Sequence, residues 1–314
     1  MGNYQHIPVM TREVVELFRP TPEGLLVDAT VGGGGHARAL LEARPDLRLL
    51  GLDQDQDAVV AATAALAEFG ARAVVVHGNF EDLVTIVSER SEGMAISGIL
   101  FDLGVSSPQL DWPQRGFSYW GEAPLDMRMD AAQALTAEHV LNEYAEGDLV
   151  AVLEQYGEER WARRIAEKII ASRPLTTTAD LVAAVKAAIP ARARRRGGHP
   201  ARRTFQAIRM EVNRELPNLA SGLDESVHLL APGGRILVLA YHSLEDRLVK
   251  ERFARWTGAS ELPPGMPVEP TRNPLVRILT RRPLRPQPDE VAANSRSESA
   301  RLRAAEKVTA AAGS

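Results

Sequence analysis

The 314-residue chain contains no cysteine, which removes disulfides, thiolate metal sites and thiol nucleophiles from its native chemistry. It has no apolar run near the ~18 to 20 residues that a membrane-spanning helix needs, and no basic segment leading into an apolar signal core. A cytoplasmic protein is therefore expected. The seven histidines are scattered without a paired ligand spacing, so no metal site is expected. No internal repeat is present. With 45% hydrophobic and 25% charged residues, the composition is that of a globular protein with a sizeable core, and the length suggests roughly two domains.

Acidic residues are missing locally, despite a net charge of -4. From Ala191 to Arg209 there are seven arginines and no acid, and from Thr271 to Arg285 five more arginines and again no acid. Arg192, Arg194, Arg195, Arg196, Arg202 and Arg203 surround Gly197-Gly198-His199-Pro200. That pattern is either a solvated charged loop or a contact for a phosphate backbone, and guanidinium groups favour phosphate because they pair with it bidentately.

What is present is an ordered series of strands and turns. Val27-Asp28 ends an apolar strand, Gly32-Gly33-Gly34-Gly35-His36 follows, then a helix from about Ala37, then the strand Leu49-Leu50-Gly51-Leu52 closed by Asp53. Ala73 to His77 and Gly98 to Leu103 read as third and fourth strands, the latter carrying Asp102, and Ala58 to Phe69 has the composition of a helix between the second and third. Alternating strands and helices imply a parallel, doubly wound sheet that binds ligands beyond the carboxyl ends of its strands. The glycine turn is no Walker loop, because no Gly-Lys-Ser/Thr follows. Gly32-x-Gly34-x-x-Ala37 satisfies the dinucleotide pattern, so a nicotinamide cofactor remains open at this level. Asp28 favours a different ligand. A carboxylate just ahead of the turn repels a pyrophosphate and suits a sulfonium, which points to S-adenosylmethionine, with Asp53 placed to accept ribose hydroxyls.

The fifth strand is delayed. Helical segments run from about Thr136 to Ala188, among them Glu158 to Ser172 with Trp161, Ile165, Ile169 and Ile170 on one face. The arginine loop follows, then one helix from Thr204 to about Leu230, a Pro232-Gly233-Gly234 turn and the strand Arg235 to Ala240. Residues 1–125 and 205–314 are thus expected to form the α/β domain, and 126–204 an inserted all-helical domain. Beyond it come a helix from Leu244 to Trp256, a linker from Leu262 to Pro270 and a strand from Leu275 to Thr280. The Ala/Arg/Glu-rich segment Asn294 to Ser314 is expected to be partly helical and frayed.

Longer strings narrow this further. His6-Ile-Pro-Val-Met10, His77-Gly-Asn-Phe80, Asp102-Leu-Gly-Val-Ser-Ser-Pro-Gln109, Arg115-Gly-Phe-Ser118, Pro124-Leu-Asp-Met-Arg-Met-Asp130, Arg203-Thr-Phe-Gln-Ala-Ile-Arg209, Tyr241-His-Ser-Leu-Glu-Asp-Arg247 and Arg296-Ser-Glu-Ser-Ala-Arg-Leu-Arg303 occur in one order. Together with the glycine turn they resemble the MraW family, ribosomal RNA small subunit methyltransferase H, from about His6 to Arg303. The resemblance implies a Rossmann-like S-adenosylmethionine-dependent methyltransferase sheet. It also implies methylation of the exocyclic amine of a cytidine in the decoding region of small-subunit (16S) ribosomal RNA, with that RNA or the 30S subunit as partner. Oligomeric state is left open, a homodimer among the options.

By position, the family's cosubstrate residues fall on Gly34, Gly35, His36, Asp53, Phe80, Asp102 and Gln109, beside Asp28. Read locally, His36 could equally cap or pack a helix, and Phe80 could be a core residue rather than a wall for adenine. The chain departs from the Asp/Asn-Pro-Pro-aromatic pattern of many amine-directed nucleic-acid methyltransferases, since Asp102-Leu-Gly-Val-Ser-Ser-Pro stands there. Asp102 with the backbone around Ser106 is expected to hold both the methionine end and the amine, with His242 and Ser243 closing the base pocket. Arg194, Arg195, Arg196, Arg202 and Arg203 are the expected RNA contacts, and Trp112, Phe117, Tyr119 and Trp120 are either base-stacking residues or a hydrophobic seam. Two other classes stay open on the residues alone, an NAD-dependent oxidoreductase and a non-catalytic RNA-binding assembly factor.

Overall fold

A computed structural model describes residues 8–104, 112–193, 198–258 and 274–308. The chain divides into two compact units, one comprising Met1–Gly104 with Leu216–Ser314, the other Val105–Glu215.

The first unit is built on a seven-stranded sheet. Its strands are β1 (Gly24–Asp28), β2 (Leu47–Asp53), β3 (Ala73–His77), β4 (Ile96–Asp102), β5 (Leu230–Ala240), β6 (Val276–Ile278) and β7 (Arg301–Lys307). The spatial order is β3-β2-β1-β4-β5-β7-β6. β1 to β5 are parallel, whereas β7 runs antiparallel to both β5 and β6. β4 is buried at every position before Asp102. Such an unbroken apolar run is what a parallel strand covered on both faces requires.

Helices α1 (Thr11–Phe18), α2 (Gly35–Ala43), α3 (Gln56–Ala65) and α4 (Leu83–Arg90) precede the second unit in the chain. On one face of the sheet Val27, Ile99, Phe101 and Val238 pack with Leu83 and Val87 of α4. On the other face Leu26, Leu100 and Leu237 pack with Phe18 of α1, Leu40 of α2 and Ala62 of α3. Strand order reverses at β1, which has β2 on one side and β4 on the other. A crevice opens at such a switch point, beyond the strands' carboxyl ends.

Among the described residues the second unit is mostly helical, with α5 (Ala137–Glu143), α6 (Glu146–Gly157), α7 (Ala162–Ala171), α8 (Thr178–Ala188) and α9 (Arg202–Val212). Its first helices are punctuated as the sequence dictates. Thr136 caps α5, and Thr177 with Asp180 forms a reciprocal capping box on α8. The helix read from Glu158 starts later, because Glu158 takes a left-handed conformation that ends α6 (φ 45°) and Trp161 caps α7. Ile165 and Ile169 are buried on its inner face.

Two further expectations are corrected. The single helix from Thr204 to Leu230 is broken into α9 and α10 (Glu215–Leu229), with Arg214 at φ 49° between them. Pro217 explains the break: in a continuous helix its ring would clash with the carbonyl four residues back, on Asn213, whereas the first turn of a new helix tolerates it. The segment after Asn294 is not helical beyond a short 3-10 turn, Ser295–Ser299; it forms β7, inserted between β5 and β6. Its alanines favour a helix locally, but Leu302, Ala304 and Ala305 are fully buried in the sheet, and this packing overrides propensity. Arg303, 9% exposed, is paired there: Asp246 of α11 (Ser243–Trp256) accepts the hydrogen bond from its Nε at 2.6 Å.

The Pro232-Gly233-Gly234 turn lies within β5. Leu230 pairs with Ile96 and Arg235 with Gly98, so the residues between bulge out of the ladder, with Gly233 at φ 79°. The remaining short helix is α12 (Pro288–Ala293). The linker expected from Leu262 to Pro270 lies outside the described residues.

Candidate active site

The crevice of the first unit is furnished by residues at the ends of β1, β2, β4 and β5. After Asp28 the chain turns through Gly32 (φ 52°) and Gly34 (φ 83°), left-handed conformations that side chains other than glycine rarely adopt. Gly35 opens α2 and is covered by Pro8, since a Cβ there would stand 2.9 Å from the proline Cγ. The turn is tied to β2 by Asp53. One of its carboxylate oxygens accepts the Gly32 N–H and the other the Asp55 N–H, each at 2.9 Å. Burial pushes the Asp53 carboxyl up to about 6, against the pull of those two backbone donors.

Asp28 is 1% exposed. Burial pushes its carboxyl up to about 7, opposed by the charge of His36 and the bond from the Thr30 N–H. A group so placed ionises readily only when a cation arrives beside it. Asp102, at the end of β4, is held from several sides. Its backbone N–H donates to Thr30 Oγ1 at 2.6 Å, and its Oδ1 accepts the Tyr241 hydroxyl at 2.8 Å. The other oxygen lies 3.4 Å from His36 Nε2. That distance is an electrostatic contact without hydrogen-bond alignment, and the His36 ring nitrogens, buried in the first turn of α2, have no hydrogen-bond partner among the described residues.

Tyr241 continues the line from β5. Its N–H donates to Glu245 Oε2 at 2.7 Å, and its ring covers Gly104, where a Cβ would come within 2.9 Å of it. Burial and the neighbouring Asp102 keep its hydroxyl protonated, well above the ordinary tyrosine range. His242 caps α11: its Nδ1 accepts the Glu245 N–H at 3.4 Å, while Glu245 Oε2 accepts the His242 N–H at 3.2 Å. Nε2 stands 2.9 Å from Glu245 Oε1, close but poorly aligned. Ser243 is the first residue of that helix. Phe80 packs edge-on against Phe101, ring centroids 5.6 Å apart, and is only partly buried. Its core role is therefore real, and a part of it stays accessible.

The crevice thus brings together Asp28, Gly34, Gly35, His36, Asp53 and Asp102, with Phe80, His242 and Ser243 at neighbouring strand and helix ends. Ser106, Gln109, Arg194, Arg195 and Arg196 lie outside the described residues. Of the other arginines, Arg202 is exposed at the start of α9, and Arg203 donates to the Glu158 carbonyl at 2.9 Å within the second unit. Thr30, Tyr241 and Pro8 were not singled out by sequence. Tyr241 had a faint signal, a hydroxyl at a strand's carboxyl end, but nothing local says that it reaches Asp102.

A profile of the MraW methylase family matches residues 3–308. The chain belongs to the MraW methylase family. Its relatives include the ribosomal RNA small subunit methyltransferase H of Symbiobacterium thermophilum, 50% identical over 312 residues that span 98% of either chain. That of Heliobacterium modesticaldum is 49% identical over 310 residues, 97% of this chain and 99% of the relative. Among solved structures, a putative rRNA methylase from Clostridium thermocellum aligns with 97% of this chain and all of its own (100%), at 10% identity and a TM-score of 0.44.

The residues of this family member fit S-adenosylmethionine. Its left-handed glycine turn admits close approach, three carboxylates favour a cation, and the buried His36 ring offers nitrogens that have no hydrogen-bond partner among the described residues.

Proposed function

We propose that this protein transfers the methyl group of S-adenosylmethionine to the exocyclic amine of a cytidine in small-subunit ribosomal RNA. The observation that carries the reading is the convergence of Asp28, Asp53 and Asp102 on a glycine turn at the switch point of the sheet, in a chain of this family. When bound, S-adenosylmethionine supplies a methyl carbon activated by the sulfonium, which the amine attacks directly while the thioether leaves. Asp53 accepts the ribose hydroxyls, and Asp28 ionises against the cation. Asp102, held through Oδ1 by the Tyr241 hydroxyl, accepts from the amine hydrogens as they become acidic. His242, held by Glu245, shapes the wall of the base pocket with Ser243.

Positioning accounts for most of the acceleration, since no covalent enzyme intermediate is needed. The cytidine must be unstacked to present its amine in line with the methyl group, so a single-stranded or flipped-out nucleotide is the substrate. In this reading the second unit binds RNA, and the arginine-rich segment from Arg192 to Arg203 clamps its phosphates. Among the described residues no helix is long and apolar enough to cross a membrane.

The test is transfer of a labelled methyl group to small-subunit RNA, naked or assembled, followed by mass-spectrometric mapping. Label on a cytidine N4 is expected, lost in Asp102→Asn. Label on another base, or an Asp102→Asn enzyme that turns over at the wild-type rate, overturns the assignment.

A further inference from the structure

The second unit holds an aromatic platform that the methyl-transfer chemistry does not use. The rings of Tyr119 and His199 stack face to face, centroids 4.6 Å apart and planes inclined by 8°. Trp120 leans on the same histidine at 4.9 Å, and Phe205 buttresses Tyr119 edge-on at 5.9 Å. Trp120 is nevertheless 71% exposed. An indole kept in water beside two ordered rings is a surface with unused stacking capacity. Beside it lies a groove of about 380 Å³, lined by Tyr119, Trp120 and His199 on one side and by Val182, Ala183 and Lys186 of α8 on the other.

The platform is built in advance. Thr178 fastens the segment after Trp120 to α8: its N–H donates to the Ala123 carbonyl at 2.8 Å, and its Oγ1 accepts the Ala123 N–H at 3.1 Å. His199 Nδ1 accepts the Ala201 N–H at 3.3 Å, which fixes the ring plane. Burial, then Lys186, holds its imidazole below the ordinary histidine range, so at neutral pH it stacks as an uncharged ring.

Charge identifies the occupant. Among the described residues none that lines the groove is acidic, Lys186 stands at its edge, and His199 lies inside the acid-free arginine run between Arg192 and Arg209. Flat apolar walls with a lysine at the edge match a nucleobase followed by its phosphate. We infer that the Tyr119–Trp120–His199 platform is a stacking site for an unpaired base of the RNA, with Lys186 on the adjoining phosphate. None of the described residues lining the groove belongs to the S-adenosylmethionine crevice, so a base held there is a recognition contact and not the methyl acceptor. The inference rests on the RNA reading above and deepens it.

The full chain is titrated with a fluorescently labelled, unstructured RNA oligonucleotide at several salt concentrations. Trp120→Ala is expected to weaken binding roughly 5- to 150-fold, the range set by loss of one stacked base, with the salt slope unchanged. Trp120→Phe retains most of the affinity. Lys186→Ala weakens binding and lowers the salt slope by about one. Wild-type circular dichroism and urea unfolding in each variant show that the fold is intact. The inference is overturned if Trp120→Ala binds as tightly as wild type, as it would if the platform served a protein partner. It is equally overturned if abasic RNA loses nothing relative to RNA with bases. Methyl transfer separates this from the parent reading: a wild-type enzyme that modifies small-subunit RNA while Trp120→Ala binds normally sinks only the platform, whereas no modification at all sinks the proposed function.

Discussion

Replacing Asp28 by asparagine should change how stability depends on pH, and the structure sets the size of the effect. The carboxyl is 1% exposed, and its proton affinity is raised from 3.8 to about 7, by burial first. The folded protein therefore binds this proton more tightly than the unfolded chain does. The resulting stability is fully present below about pH 4 and is lost as pH rises through about 7, a total of roughly 4 kcal/mol. Between pH 8 and pH 5 the wild type should recover about 3 kcal/mol from this group alone. Asparagine keeps a carbonyl to accept the Thr30 N–H but has no proton to gain. Urea unfolding of both cofactor-free proteins at pH 5, 6, 7 and 8 measures the difference directly. Asp53, pushed up to about 6, contributes a slope of the same sign to both and cancels. The variant should be the more stable protein at pH 8, with its advantage shrinking by about 3 kcal/mol at pH 5. Two parallel curves would refute the claim that Asp28 is held as a neutral acid.

Tyr241→Phe deletes the hydroxyl that donates to Asp102 at 2.8 Å. A hydrogen bond to a charged acceptor is worth about 1.5 to 3 kcal/mol, so single-turnover methyl transfer should slow by roughly tenfold or more, with RNA affinity unaffected. Asn213→Ala should destabilise the second unit by about 3 kcal/mol, because this buried side chain donates to the carbonyls of Met127 and Arg209, each at 2.8 Å, and accepts the Met129 N–H at 2.7 Å. Limited proteolysis should then cut the variant near Met127, where the wild type resists.

The strands that carry the site were legible because their signals are local. β3 has the bounds that the sequence suggests, β1 ends at Asp28 as expected, β2 and β4 differ by at most two residues, and β5 ends at Ala240 but begins five residues earlier, since each is an apolar run bracketed by glycine, proline or an acid. The turn after Asp28 and the carboxylate of Asp53 follow from the same short stretch. Contacts across long separations were not legible. Asp102 and Tyr241 are 139 residues apart, and no pattern around either names the other. The last strand was misread for a related reason. Its composition is that of a helix, and only β5 on one edge and β6 on the other make an extended chain the better solution. The break between α9 and α10 was readable after all, since Pro217 forbids a continuous helix at that point. The sequence puts His242 forward for the base pocket and gives no sign of its cap on α11, because capping depends on the strand end that delivers it.

The place of β7 sets an order of assembly. It enters the sheet between two strands that precede it in the chain, so β6 cannot join until β7 is made. During synthesis β5, the strand that leads into Tyr241 and His242, therefore presents one open edge until Arg301 to Lys307 have emerged. An open edge of this kind invites pairing with another chain. The edge of β5 is thus closed in a single late event, the docking of one strand whose arginines, Arg301 and Arg303, are received by Asp246.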